Sequence, residues 1–431
     1  MDQKNRTSRR NFLKESSVLA AGTVLVGGIK VSHARMVHTQ GKGALKVALI
    51  GCGGRGRGAA QDNLTACENT QIVAVADVFK ERAESTAKQL NVSPEMTFSG
   101  LDAYKKALAT DIDMVIMASP PGFRPIQYAA AIEAGKHVFM EKPCCVDAPG
   151  YRILVKANEM ADKKGLKVGV GFQRRHDTGY VNGIQKIHDG KFGDLILLQA
   201  YWNGTEPWFR GPQEGRTEIH NQINNWYHFI WLSGDNICEQ HVHNLDVCNW
   251  AKNDHPKEAN GMGGSEIRRA GGRATQIFDH HFVEFTYADG MKLYSQCRHA
   301  VGCWGNVSEY AFGSKGHGRV QDSGDATDRN GVPFKFNNNF EQEHFALVEA
   351  IRNDTPYNEG HYGATSSFTA VLGRMATYSG NVVTWDDAVK TGVDTAPGIE
   401  NFTLESPAPV QPNEDGTYPY AIPGLRYKPF V

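Results

Sequence analysis

Two short stretches of this chain carry residue types at spacings suited to chemistry. The first is Gly51-Cys52-Gly53-Gly54-Arg55-Gly56, directly after the apolar run Lys46-Val47-Ala48-Leu49-Ile50. A strand that turns through glycines into a helix leaves backbone N–H groups bare at the helix N-terminus, where a pyrophosphate can settle. A second run, Gln71-Ile72-Val73-Ala74-Val75-Ala76, ends at Asp77, about where a carboxylate would accept both ribose hydroxyls of NAD. The same carboxylate would repel a 2′-phosphate, so NAD is favoured over NADP. The plainer alternative makes the glycines an ordinary turn and Asp77 a helix cap. The second stretch is Glu141-Lys142-Pro143, at the end of the run His137-Val138-Phe139-Met140. Strand carboxyl ends in a doubly wound sheet face the cofactor crevice, which would aim the Lys142 ammonium at nicotinamide and substrate.

These residues need a parallel sheet to position them. Runs 46–50, 71–76, 113–118 and 137–140 are short and apolar, with a helix expected over 126–134 that ends at Gly135. From Gly193 the pattern changes. Segments 195–201, 282–287 and 292–297 alternate or are rich in β-formers, and Ala288-Asp289-Gly290 makes a hairpin turn between the last two. The fold class is therefore α/β: a Rossmann dinucleotide-binding domain over 43–165, then an α+β domain with a large open mixed or antiparallel sheet over 166–400. Pro407, Pro409, Pro412 and Pro419 mark 401–431 as an irregular tail. A net charge of −1, with no basic stripe, argues against a nucleic-acid partner. The eight cysteines are irregularly spaced, which predicts mostly buried free thiols.

With the preceding Ala134-Gly135-Lys136-His137-Val138, the lysine segment reads AGKHVFMEKP, and the chain resembles the Gfo/Idh/MocA family of glucose-fructose oxidoreductase and inositol dehydrogenase type from about residue 46 to 384. The family pattern of a glycine turn followed by acid, histidine and acid falls on Glu239, His243 and Asp246, with glutamate where aspartate is usual. On a continuous helix these three lie within about 60° of one another. The resemblance makes His243 the general acid/base, titrating near neutrality, with Lys142 and Glu239 as its catalytic companions. It also implies that Gln173 and Arg175 of Gly171-Phe172-Gln173-Arg174-Arg175 contact the nicotinamide ribose. Ser119-Pro120 occupies the adenosine-side position, and Arg124 replaces a usual histidine. Gly51, Gly53, Gly54, Arg55, Gly56, Asp77 and Glu141 complete the expected cofactor set. Trp202, Trp226, Tyr227, Asp246, Arg298, His299 and Trp304 are the expected substrate contacts, because aromatic faces and hydrogen-bond formers suit a sugar ring.

Metal ligation is the other use of this histidine-rich segment, through Glu239, His241 and His243 with His280 and His281. On a helix, however, His241 and His243 point about 200° apart, and the family implies no metal. At the N-terminus, Thr7-Ser8-Arg9-Arg10-Asn11-Phe12-Leu13-Lys14, the apolar stretch 18–29 and Ser32-His33-Ala34 read as a twin-arginine signal peptide over 1–34. That predicts a periplasmic protein exported folded by the Tat machinery. The expected activity is oxidation of a sugar or glycoside hydroxyl, at C3 for instance, with tightly held NAD and copies paired as a homodimer or homotetramer through the open sheet. Two alternatives stand beside it: redox-assisted glycoside cleavage, with Tyr227 or Glu239 as an extra base, and a sugar-binding sensor without catalysis.

Overall fold

A computed structural model of the chain describes residues 43–272, 275–324, 327, 331 and 333–431. Segment 1–34, expected from the sequence to be a twin-arginine signal peptide, lies outside the described residues. Six strands, β1 (Leu45–Ile50), β2 (Thr70–Asp77), β3 (Thr97–Ser99), β4 (Met114–Met117), β5 (His137–Met140) and β6 (Val168–Val170), form one sheet in the order β3-β2-β1-β4-β5-β6. Every pairing in it is parallel. Helices cover both faces, so the central strands are apolar throughout, and Met114, Val115, Ile116 and Met117 are fully buried. Strand order reverses beside β1, and the crevice at the carboxyl ends of β1 and β4 is where such sheets bind ligands.

The second sheet has seven strands. These are β7 (Leu195–Gly204), β8 (Glu258–Gly264), β9 (His280–Thr286), β10 (Lys292–His299), β11 (Asn306–Gly313), β12 (Gly316–Arg319) and β13 (Val383–Thr384), ordered β12-β11-β7-β10-β9-β8-β13. Only β7 and β10 pair in parallel, so the sheet is mixed. The β9–β10 turn closes as the sequence predicts, with Gly290 at φ 85° and Tyr287 N–H donating to the Met291 carbonyl at 2.9 Å. One face packs on the helices Val242–Lys252 and Gly360–Ser379. The other presents Met262, Phe282 and Tyr294, brought side by side by the strand register. Trp304 stands over Tyr201 of this face at 5.8 Å, edge to face.

The tail over 401–431 is not loosely laid on the surface. Ala408 and Tyr418, with Ala396 just before the tail, are buried in a cluster with Phe79 and Phe123 of the first sheet's loops and with Ile219, Ile223, Phe229 and Trp231. Seven of the eight cysteines are buried free thiols, and Cys303 is exposed.

Candidate active site

The glycine loop is built by close packing. Gly51 has φ 94°, and a Cβ there would meet the Ala118 backbone at 2.5 Å; a Cβ on Gly56 would meet the Gly51 carbonyl oxygen at 1.8 Å. Gly53 and Gly54, by contrast, face open space. The helix Gly54–Ala66 starts there with no side-chain cap and no acidic residue in its first turn, so its first N–H groups remain free for an anion. Asp77 closes the end of β2. Its Oδ2 accepts the Cys52 N–H at 2.8 Å and its Oδ1 the Phe79 N–H at 2.9 Å, which fixes the carboxylate beside the loop. Burial raises its pKa above the ordinary value, and these two N–H groups and Arg82 pull it back down. Glycine loop, Asp77, Ser119 and Pro120 line one cavity of about 500 Å³.

A second cavity of about 300 Å³ adjoins it, sharing Arg55, Ala118, Ser119 and Trp226. Glu141, Lys142, Gln173, Glu239 and His243 line it. The Lys142–Pro143 peptide is cis. The Lys142 ammonium donates to the Glu239 main-chain carbonyl and to its Oε1 at 3.0 Å. An ammonium has three donors, so one is left for the cavity. Glu239 is thus the group that orients Lys142, a contact within the longer reach of a glutamate. His243 is buried between the Trp202 ring, stacked at 5.9 Å and 18°, and the Phe172 ring, edge-on at 6.0 Å. Its Nδ1 has no hydrogen-bond partner. Burial, then the Lys142 and Arg174 charges, push its pKa well below the ordinary histidine value, so the ring is a neutral acceptor at pH 7 rather than a group titrating near neutrality. Gln173 presents a buried Oε1 that is likewise without a partner. An open glycine cradle, a carboxylate at the end of β2 and unpartnered polar atoms at the lysine end together fit an elongated dinucleotide.

Several expected contacts lie elsewhere, each for a physical reason. The segment 236–252 is not one helix: it breaks at Gln240 and His241, between Asn236–Glu239 and Val242–Lys252. Asp246 does not line either cavity. It holds Arg175 through two bonds of 2.8 and 2.9 Å and accepts from Ser366 Oγ at 2.7 Å. Arg175, stacked on Tyr362 at 3.8 Å, is thereby turned away from the cofactor cavities. Arg124 does line the second cavity but is not a free cation there, because its guanidinium donates to the Ser119 and Pro143 carbonyls and ties those two loops together. Trp202 backs His243 instead of lining the cavity. Tyr227 is 4% exposed and its hydroxyl has no partner. His299 is 1% exposed, bonded to Gln240 at 2.7 Å and Arg268 at 2.6 Å. Arg298 donates to the Trp304 carbonyl at 2.6 Å, and Trp304 belongs to the open sheet face. Of the aromatic set, only Trp226 lines the cleft. The sequence reading missed Trp208 and Arg210, which line the first cavity, and Phe340, which lies under Arg55 at 4.7 Å in the second. An aromatic and a base two residues apart in a glycine- and proline-rich stretch was the available signal.

The other histidines raised as metal ligands have separate partners: His241 bonds Ser295 Oγ at 2.7 Å, His281 bonds Thr377 Oγ1 at 2.9 Å and His280 bonds Asp279 at 2.6 Å. Burial pushes His228 down to about 4, and His241 and His299 down to about 3. An unfolded chain takes up protons at such histidines below about pH 6.5, whereas the folded chain does not until the lower values are reached. Stability therefore falls as pH drops below about 6.5, by about 2 kcal/mol per histidine at pH 5. Urea midpoints at pH 7 and pH 5 measure this, and equal midpoints would contradict the neutral buried state.

Residues 45–172 match the Gfo/Idh/MocA family, described as an oxidoreductase family with an NAD-binding Rossmann fold. Inositol 2-dehydrogenase from Pseudomonas savastanoi pv. phaseolicola is 31% identical over 215 residues, 49% of this chain and 55% of that protein. Inositol 2-dehydrogenase/D-chiro-inositol 3-dehydrogenase from Halalkalibacterium halodurans is 30% identical over 214 residues, 49% of this chain and 53% of that one. The chain thus spans about half the length of the curated relatives it matches. In overall fold it is similar to scyllo-inositol dehydrogenase from Lactobacillus casei, solved with NAD(H) and scyllo-inositol (TM-score 0.61, 21% identity, 79% of this chain and 99% of that one). Aldose-aldose oxidoreductase from Caulobacter crescentus is comparable, with TM-score 0.62, 18% identity and the same coverages.

Proposed function

We propose that this chain is an NAD-dependent oxidoreductase of the Gfo/Idh/MocA family that oxidises a secondary hydroxyl of a sugar, glycoside or cyclic polyol. The observation that carries this reading is the pair formed by Lys142 and a neutral, unpartnered His243 in one cavity, continuous with the glycine loop and Asp77. NAD, when bound, supplies the hydride acceptor. The chain's residues handle the proton and the charge. His243 takes the hydroxyl proton on its imidazole, and the remaining Lys142 N–H donates to the reacting oxygen as negative charge builds there. Glu239 keeps the ammonium in place, while Phe172 and Trp202 keep water from the imidazole.

The twin-arginine motif favours a periplasmic site of action, reached through the Tat machinery with the cofactor already bound. The apolar face around Met262, Phe282 and Tyr294 favours a homodimer or homotetramer through the open sheet. Oxidation at C3 of a glucoside suits an exported enzyme that meets glycosides. A second reading, redox-assisted glycoside cleavage, draws on the Glu239 carboxylate in the cavity, since elimination needs an additional base; Tyr227, shut away from the cavity, does not serve.

Purified protein is expected to turn over methyl glucosides or inositols with an artificial electron acceptor and to yield keto-sugars. Methanol release would instead favour cleavage, and binding without turnover would overturn both. In cells the same activity is expected in the periplasm, and the Arg9→Lys/Arg10→Lys variant is expected to keep it in the cytoplasm.

A further inference from the structure

We infer that residues 205–226 form a fixed cover over the adenosine end of the cleft, clamped by the C-terminal tail, and that this cover slows dinucleotide release enough to retain one cofactor through many turnovers. The inference rests on the NAD reading above and deepens it. The cavity of about 500 Å³ has the glycine loop, Asp77 and Arg82 on one side. Its opposite wall comes from the chain after β7: Trp208, Arg210, Ile223 and Trp226. The Arg210 guanidinium lies over the Trp208 ring at 4.0 Å, which makes a flat, cationic surface of the kind that stacks on a base.

The cover is tied down at several points. Arg210 donates from its main-chain N–H to Asn225 Oδ1 at 2.8 Å and from Nη1 to the Asn224 carbonyl at 2.7 Å. The Trp208 carbonyl is bonded to His228 Nε2 at 2.9 Å. The helix Glu218–Asn224 behind it is then held by the tail. Thr217 Oγ1 donates to the Leu404 carbonyl and Gln222 Nε2 to the Val410 carbonyl, both at 2.7 Å, and the Tyr418 hydroxyl donates to Glu218 Oε1 at 2.5 Å. Phe402 packs edge-on against Trp231 at 6.2 Å. On the other side, Phe79 meets His220 of the cover at 4.6 Å, and Phe123 meets Trp231 at 5.7 Å; Trp231 in turn donates from Nε1 to Gln222 Oε1 of the cover at 2.7 Å, so the cover is anchored to the cofactor domain as well. A nucleotide leaving this end must wait until hydrogen bonds break and a buried apolar cluster opens, which makes release a local-unfolding event.

The test is an exchange experiment. Protein loaded with isotope-labelled NAD is chased with excess unlabelled NAD, and the bound label is followed in time. The Trp208→Ala/Arg210→Ala variant, altered at a partly exposed site, is expected to exchange at least tenfold faster than wild type. Phe402→Ala, which lies outside the cavity, is expected to exchange several-fold faster because it loosens the clamp. Equal rates in all three proteins, each holding one NAD, would overturn the cover and leave the NAD reading intact. A fast double variant with Phe402→Ala behaving as wild type would overturn the clamp. Absence of bound NAD from all three would overturn both the cover and the reading beneath it.

Discussion

Lys142→Ala and His243→Ala are each expected to lower the rate of the chemical step by roughly 100-fold or more, because positioned proton transfer and charge stabilisation commonly contribute that much. Bound nucleotide should stay near the wild-type level, since neither side chain touches the glycine loop or Asp77. The double variant should be little slower than either single one, because both groups act on the same oxygen and removing one leaves the other without a complete site. The pH profile gives an independent reading. An ordinary histidine base would lose half its activity near pH 6.5 on acidification. The His243 pKa is depressed by burial and by Lys142, so the neutral form persists below that, and kcat/KM for oxidation should stay flat through pH 6.5 and fall only in more acid solution. A single-turnover rate unaffected by either substitution, or a midpoint at 6.5, would count against the assigned base.

Asp77→Ala should have the second large effect, on cofactor choice. The carboxylate is the cleft's expected partner for the ribose hydroxyls, and charge-assisted bonds of that kind contribute about 1.5–3 kcal/mol. NAD affinity should therefore fall roughly 10- to 100-fold. NADP should suffer less or improve, because the charge that repels a 2′-phosphate is gone while Arg82, 3.9 Å from that carboxylate, remains in the cavity. Calorimetric titration with both nucleotides measures the ratio. If it is unchanged, Asp77 serves only to brace the loop through the Cys52 and Phe79 N–H groups.

Much of the first domain was legible in the sequence because its signals are local. A fully buried parallel strand must be apolar along its length, a strand-to-helix turn against the Ala118 backbone demands glycine at 51, and a lysine at the end of β5 has one place to point. The hairpin at Asp289-Gly290 was local too. What escaped depends on partners distant in sequence. Asp246 sits at a plausible helical position, yet the arginine that engages it lies in the turn after β6, and nothing in the spacing of residues 239–246 announces that. The wheel that grouped Glu239, His243 and Asp246 assumed an unbroken helix. The turn at Gln240 and His241 removes that assumption, and Glu239 and His243 still share a cavity because Lys142 reaches the end of one short helix while Phe172 and Trp202 seat the start of the next. Trp208 and Arg210 could not be assigned to the cofactor end from sequence, because they are tied to Asn224, Asn225 and His228, on a segment that the tail some two hundred residues later holds in place.

The pairing of β7 with β10 and β11 also bears on how the molecule comes to be active. β7 is an interior strand of the second sheet, and both neighbours follow it only after a long intervening stretch of chain, so its docking requires closing large loops and belongs to the slow, high-contact-order part of folding. Trp202, which stacks on His243, is carried on that strand. The nucleotide-binding half can assemble from neighbouring βα units early, but the base has no wall to lean on until the distant strands arrive. Nucleotide binding should therefore precede competence for turnover along the folding trajectory, and a lesion that delays closure of the second sheet should yield a chain that holds its cofactor before it can use it.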